Sequence, residues 1–423
     1  METDLDLKKD IKKFNPKNKK KLWVITELYY PENNQTGYYM TGIAEGLTEK
    51  FDVKVICGQP NYAARGTRAQ KKENHRNVEI FRVWGTTLNK DSIVFRLINM
   101  VSLGFSIFFK SLFFIKKDDE VLVVSAPPTL PFIAALAAHL RRARYTLIIQ
   151  DKYPETLIAV GKASPDSLFI KILNRLNIRL YRGAKKIIVV GRDMKLLVIS
   201  QLKNFENKRI PPVEVIQNWA SLEEIEPMPR ANNELLKELN ILDKFTFLYA
   251  GNMGYPQDLG SIVKCAEKLK TDERFHFLFI GSGVKRKWLE KEVKEKNLVN
   301  ITVLPPKSRN EQKIFLNACD VGLVPLVKKM RGVAMPSRTY NLLAAGKPIL
   351  ALTEKNSEVA WVIEDDRVGW HVAPDDPEAL CNIIIEIFEN RSLLREMSQR
   401  ARLSAIQKYS MQVAVEKYIR CLD

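Results

Sequence analysis

Short apolar runs alternate with stretches of helical periodicity along almost the whole chain. In the first half the runs are LWVITEL, VKVIC, VEIFRVW, VLVVSA, YTLIIQ and KIIVV. In the second they are FTFLYA, FHFLFI, ITVLP, VGLVPL and PILAL. Such runs are short, nearly continuous in hydrophobicity and rich in β-branched and aromatic residues. They predict parallel strands, with the helical stretches as crossovers. Two doubly wound α/β sheets suit this length better than one sheet of eleven strands.

The alternation breaks after VEVIQNW, where ASLEEIEPMPRANNE is polar and carries two prolines. This predicts a join between a first domain over residues 22–220 and a second over 221–408, with a last helical stretch, 409–423, that has no strand after it. Residues 93–115 form a long, strongly apolar helix pattern interrupted by Arg96 and Lys110. Those charges, a glycine and a position between two strands argue against a membrane span. Two uses stay open: a helix packed on the sheet, or one whose apolar face rests on a bilayer while Lys and Arg reach headgroups.

Composition narrows the class. With 46% hydrophobic and 27% charged residues, the 423-residue chain reads as folded rather than disordered. Five scattered cysteines and four separated histidines offer no metal cluster and fit a reducing cytoplasm. The formal charge of +18 implies attraction to polyanions. Residues 1–21 read as a flexible basic tail, with contact to a membrane surface as its alternative use, and LWVITEL is too short for a cleavable signal.

Ligands of doubly wound sheets bind beyond the carboxyl ends of the strands, so the turns there matter most. Gly251-Asn252-Met253-Gly254 follows FTFLYA, and Gly281-Ser282-Gly283 follows FHFLFI. A loop with Lys328, Lys329 and Arg331 follows VGLVPL and leads into MPSRTYNLLAAGKPILA. That stretch predicts a helix with Pro336 in its first turn, Ser337 as cap or early-turn residue and Gly346 at its stop. Its start, with Arg338, reads as an anion cradle; an ordinary crossover helix is the alternative. Together the three turns point to a nucleotide-diphosphate pocket. In the first half, Thr36-Gly37 precedes a helix after LWVITEL, and Asp151 directly follows YTLIIQ, whose last residue is Gln150. Asp151 there can bind a sugar hydroxyl or accept a proton, or simply cap a helix.

These segments carry a specific resemblance. YAGNMG, FLFIGSG, ACDVGLVPL, PSRTYNLLAAGKPILA, Ser357-Glu358 and DDRVGWHVAPDDPEAL, with LYYPENNQTGYYMTGIAEGL and IIQDKYPETL, occur in the order found in family 4 retaining glycosyltransferases of the GT-B fold. The chain is most similar to bacterial enzymes of surface-polysaccharide assembly, of the fucosamine and colanic-acid type. The resemblance implies two Rossmann-like domains facing across a cleft, the last helix crossing back to the first domain. It implies a nucleotide-sugar donor on the second domain and an acceptor on the first. Gly281, Gly283 and the turn at Leu304 would border the base, and Asn341 the ribose. Ser337 and Arg338 would hold the diphosphate, and Glu358 would lie near the sugar or the pyrophosphate. Gly37, Gly251, Asn252, Gly254 and Gln257 complete the expected donor set, and Asp151 would orient the acceptor hydroxyl.

The family's Glu-x7-Glu pair falls here on Val333 and Asn341, its usual Arg and Lys on Asn252 and Gln257, and its His before the Asp on Gln150. Arg338, Arg331 or Lys285 would supply the missing phosphate cations. The expected reaction is front-face transfer with retention and uses neither metal nor cofactor, since no Asp-x-Asp lies on a plausible loop. The charge and the 93–115 helix suit a polyprenyl-diphosphate-linked acceptor met at the inner face of the plasma membrane by a cytoplasmic, peripheral protein. Rival readings are a GT-B epimerase or hydrolase, a catalytically silent nucleotide-sugar-binding partner, and, last, a nucleic-acid binder. No basic helix with interleaved aromatics supports the last, so no nucleic acid is expected.

Overall fold

The computed structural model describes residues 19–32, 34–60, 68–88, 93–203 and 210–423. Most of the basic tail therefore lies outside the described residues. Its last two residues belong to the sheet: β1 begins at Lys20, and Lys21 pairs with Asp52.

The first sheet contains β1 (Lys20–Ile25), β2 (Phe51–Cys57), β3 (Lys72–His75), β4 (Val78–Arg82), β5 (Glu120–Val124), β6 (Arg144–Ile149), β7 (Lys186–Val189) and β8 (Val213–Val215), in the order β3-β4-β2-β1-β5-β6-β7-β8. The second contains β9 (Phe245–Ala250), β10 (Phe275–Ile280), β11 (Ile301–Leu304), β12 (Val321–Pro325), β13 (Ile349–Leu352) and β14 (Gly369–Val372), in the order β11-β10-β9-β12-β13-β14. Among the described strands, only β3 runs antiparallel to its neighbour. Two Rossmann-like sheets face each other, the GT-B arrangement that the resemblance implies.

Three strands have no counterpart among the eleven apolar runs. β3 is KENH, a polar edge strand placed by pairing with β4 rather than by an apolar face. β8 and β14 are short edge strands of three and four residues, too brief for a period to register. The central strands are buried on both faces, as β5 and β10 show along their whole length. Sequence spacing also hides a contact between cysteines: the buried thiols of Cys265 and Cys381 meet at 2.7 Å.

The helix Ile93–Phe114 packs on one side against the helix Leu130–Leu140, with Leu103 and Ile107 buried. Its other side is open: Val101 is 70% exposed and Phe113 85%. By length and composition it is apolar enough to cross a membrane.

The helix Met411–Leu422 lies against the helix Gln35–Leu47, although the whole second domain separates them in sequence. Ala414, Tyr418 and Leu422 enter the core beneath β1 and β2. Gly42 and Gly46 make room for it, since a Cβ on Gly46 would stand 2.5 Å from the Val415 methyls.

Candidate functional site

The turns after β9 and β10 lie against each other. Gly251 donates its N–H to the Ile280 carbonyl at 2.9 Å, and Met253 to Ser282 at 2.6 Å. Gly281, at φ 153°, has no room for a side chain, because a Cβ would stand 2.0 Å from the Gly251 oxygen. A Cβ on Gly283 would meet the Asn252 amide oxygen at 2.6 Å.

Arg338 reaches this pair of turns from the start of the helix that follows β12. Its guanidinium lies 4.2 Å above the Tyr249 ring, and a Cβ on Gly251 would come 3.1 Å from Nη2. Nη1 is buried with no hydrogen-bond partner. A guanidinium fixed by stacking, with a donor left over beside bare backbone, is arranged to receive an anion.

The helix that carries Arg338 spans seven residues, Arg338–Ala344, and Ser337 makes no side-chain cap. Thr339 and Tyr340 turn their N–H groups back onto Pro336 and Ser337. Two turns of helix sum few peptide dipoles, so the cradle rests on the Arg338 side chain more than on the helix start. Gly346, at φ 63°, ends the segment, and Lys347 donates to the Cys319 carbonyl at 3.0 Å, away from the cradle.

Ser337 and Asn341 open instead on a cavity of about 270 Å³ between the domains. Gln35 and Tyr38 line it from the first domain; Lys307 and Arg309 line it from the second. Arg309 packs 3.6 Å over the Tyr38 ring and pairs with Glu224 at 3.1 Å. Gly37 is in the same first helix, where it lets the Glu32 carbonyl approach. Leu304 is tied to the cradle by accepting the Gly281 N–H at 3.2 Å.

Other expected donor residues stand further from an open ligand position. Lys285 directs its ammonium into the β9 turn, donating to the carbonyls of Gln257 at 2.6 Å and Tyr255 at 3.2 Å, and burial lowers its pKa. It therefore braces the Gly254–Gln257 loop, and the Gln257 side-chain oxygen is buried there without a partner. Arg331 is exposed, and its backbone N–H goes to Glu354. Glu358 does not face the cavity: it is 1% exposed, and one carboxylate oxygen takes both the Arg192 N–H at 2.7 Å and its Nε at 2.9 Å. Burial raises the Glu358 pKa, opposed by Arg192.

Asp151 lies at the end of β6, its backbone in an isolated antiparallel bridge with Ala334 of the second domain. It lines a small pocket of the first domain with Ser125, Tyr153 and Asn177, and desolvation there pushes its pKa up to about 6. The next residue, Lys152, is buried between Glu155 at 2.5 Å and Gln201 at 2.6 Å.

Sequence reasoning did not single out Tyr249, Arg309, Tyr38 or the pair Arg192-Asp193. The last carried a usable signal, because Gly191-Arg192-Asp193 directly follows the apolar run KIIVV and is a strand-end turn like the others. Tyr249 looked like any core aromatic of an apolar strand.

The profile described as Glycosyl transferases group 1 matches residues 232–404. The chain is 27% identical over 402 residues to a protein named glycosyltransferase WbjE from Pseudomonas aeruginosa, covering 95% of this chain and 97% of that one. It is 25% identical over 393 residues to one named colanic acid biosynthesis glycosyl transferase WcaI from Escherichia coli (strain K12), covering 88% and 94%. The crystal structure of Anabaena Alr3699/HepE in complex with UDP has the same fold at a TM-score of 0.69, with 14% identity and 95% and 99% of the two chains covered.

Proposed function

Starting from a chain whose residues 232–404 belong to the glycosyl transferases group 1 family, we propose a retaining glycosyltransferase. It moves a hexosyl or N-acetylhexosaminyl unit from a nucleotide-diphosphate sugar to a polyprenyl-diphosphate-linked saccharide in cell-surface polysaccharide synthesis. The observation that carries the reading is the unpartnered, buried Nη1 of Arg338 beside the bare turns at Gly251 and Gly281. The relative WcaI is named for colanic acid biosynthesis, and HepE was crystallised with UDP.

In this reading the diphosphate lies against Arg338 and the two glycine turns, the ribose near Asn341, and the base toward Leu304 and the interdomain cavity. Charge growing on the leaving phosphate is stabilised by the guanidinium, held in place before reaction and shielded from water between the domains. The acceptor hydroxyl attacks from the same face that the phosphate leaves, and the phosphate takes its proton. Asp151 orients that hydroxyl. A thermal-shift panel of UDP, GDP and ADP without added metal tests the donor site. One nucleotide is expected to raise Tm by several degrees at about 100 times its Kd, and a flat response across the panel overturns the reading. Val333 and Asn341, standing where the family carries carboxylates, favour a second reading, a nucleotide-binding partner without transfer activity. Nucleotide binding without any sugar transfer selects it.

We also propose that the first domain rests on the anionic inner face of the plasma membrane. The exposed side of Ile93–Phe114 presents Val94, Leu97, Val101, Phe105, Phe109 and Phe113. The neighbouring helices Leu130–Leu140 and Leu168–Gly183 add Leu136, Leu140, Leu168, Phe169 and Ile172. Exposed cations flank the three helices, among them Lys116, Lys117, Arg141, Arg142, Lys171 and Arg175. Apolar side chains at headgroup depth beside cations match an anionic bilayer. Phe109→Ser is expected to weaken binding to vesicles containing phosphatidylglycerol by about tenfold, measured by co-sedimentation. Unchanged partition assigns the face to another partner.

A further inference from the structure

The first domain grips one short segment of the second from two sides. Gly332, Val333 and Ala334 follow β12 and precede Arg338. On one side, the first domain's β6 end meets them: Lys152 donates its N–H to the Val333 carbonyl at 2.8 Å, and Asp151 bridges Ala334. On the other, Asp193 at the start of the helix Arg192–Lys203 reaches across. Its Oδ2 accepts the N–H of Gly332 at 2.8 Å and of Glu358 at 3.0 Å, while Oδ1 accepts that of Met194 at 2.7 Å.

Arg192 reinforces the contact through Glu358 and through Asp365 at 2.6 Å. The two grips are joined inside the first domain, because buried Lys152 bonds Gln201 on the helix that carries Asp193. Gly332 sits at φ 71°, and a Cβ there would come 3.0 Å from the Asp193 carbonyl oxygen. The approach is therefore tighter than most side chains accept, and the positive φ favours glycine as well.

We propose that Asp193 is a positioning residue for transfer: by accepting the amides of Gly332 and Glu358 together, it holds the segment leading into Arg338 against the Asp151 loop. This rests on the function proposed above. A carboxylate buried at a domain boundary is costly unless its oxygens are used. Here three backbone donors use them, two from the opposite domain. The grip runs through backbone groups, so it does not depend on which side chain occupies position 333.

Asp193→Ala tests this, because it removes Oδ2, the one oxygen that accepts both interdomain amides, whereas an asparagine keeps an oxygen for that position. Amide exchange is expected to rise at least tenfold over residues 331–334 and at Glu358, with the rest of the second domain unchanged. The Tm response to UDP, or to whichever nucleotide the panel selects, is expected to stay, since that cradle is built within the second domain. Transfer of the matching radiolabelled sugar to a bacterial lipid extract is expected to fall at least tenfold. If the variant does not fold, Arg192→Ala serves, with the same pattern of changes at about threefold. Unchanged exchange overturns the proposal, as does faster exchange with normal transfer. Silence of the wild-type protein toward every nucleotide overturns the function first and the positioning role with it. A responsive wild type with an indifferent variant overturns the role alone.

Discussion

Arg338→Ala is expected to weaken nucleoside-diphosphate binding about 100-fold, while Lys347→Ala changes it less than about twofold. Charge-assisted hydrogen bonds contribute roughly 1.5–3 kcal/mol each, and about 1.4 kcal/mol is a factor of ten in Kd. Loss of two bonds to phosphate at the lower figure gives the expected value. Arg338 already has a fixed orientation over Tyr249, so little rotamer freedom remains to be lost on binding. Lys347 carries the same charge nine residues on, yet its ammonium is directed to the Cys319 carbonyl. Arg338→Lys discriminates further: it keeps the charge but neither the planar stack nor the bidentate fork, and an intermediate loss is expected. Isothermal titration with the selected nucleotide checks all three. Equal small effects at 338 and 347 remove the cradle assignment.

Asp151→Asn is expected to cut transfer about 100-fold with nucleotide affinity nearly unchanged, the order of loss that a misplaced reacting group brings. The wild-type rate is expected to rise with pH and level off above about 6, where the carboxylate is ionised. The variant's residual rate loses that step. Stability moves the other way. Burial raises this carboxyl above its ordinary value of 3.8, so the folded state binds the proton more tightly than the unfolded one. The contribution is complete below about pH 4 and is lost as pH rises through 6. The asparagine variant should therefore melt with the wild type in acid and above it at pH 8. A variant with wild-type transfer, or with lower Tm at pH 8, rejects this account.

The two-sheet architecture was readable because the central strands are buried on both faces and announce themselves as continuous apolar runs, FHFLFI above all. What escaped was structure held by pairing with neighbours: KENH as an edge strand, GWHV as the last one. The glycine turns were readable for a similar reason. A glycine after a buried strand marks close backbone approach, and Gly251, Gly281 and Gly283 do lie together. Direction was not readable. Lys285 and Glu358 sit at strand ends like the others, yet one turns into its own loop and the other meets Arg192. Nothing in a linear string distinguishes a cation that faces a ligand from one that faces a carbonyl. The Gly332–Asp193 contact joins residues 139 apart in the chain, beyond any local pattern.

The helix Met411–Leu422 has a consequence for how the molecule is made. A ribosome delivers β1 and β2 early, but the helix that covers their outer face emerges only after the whole second domain. Until then Gly42, Gly46 and the apolar residues around them have nothing over them. The first domain is therefore finished last, and its nascent form offers chaperones an open apolar groove throughout synthesis of the second.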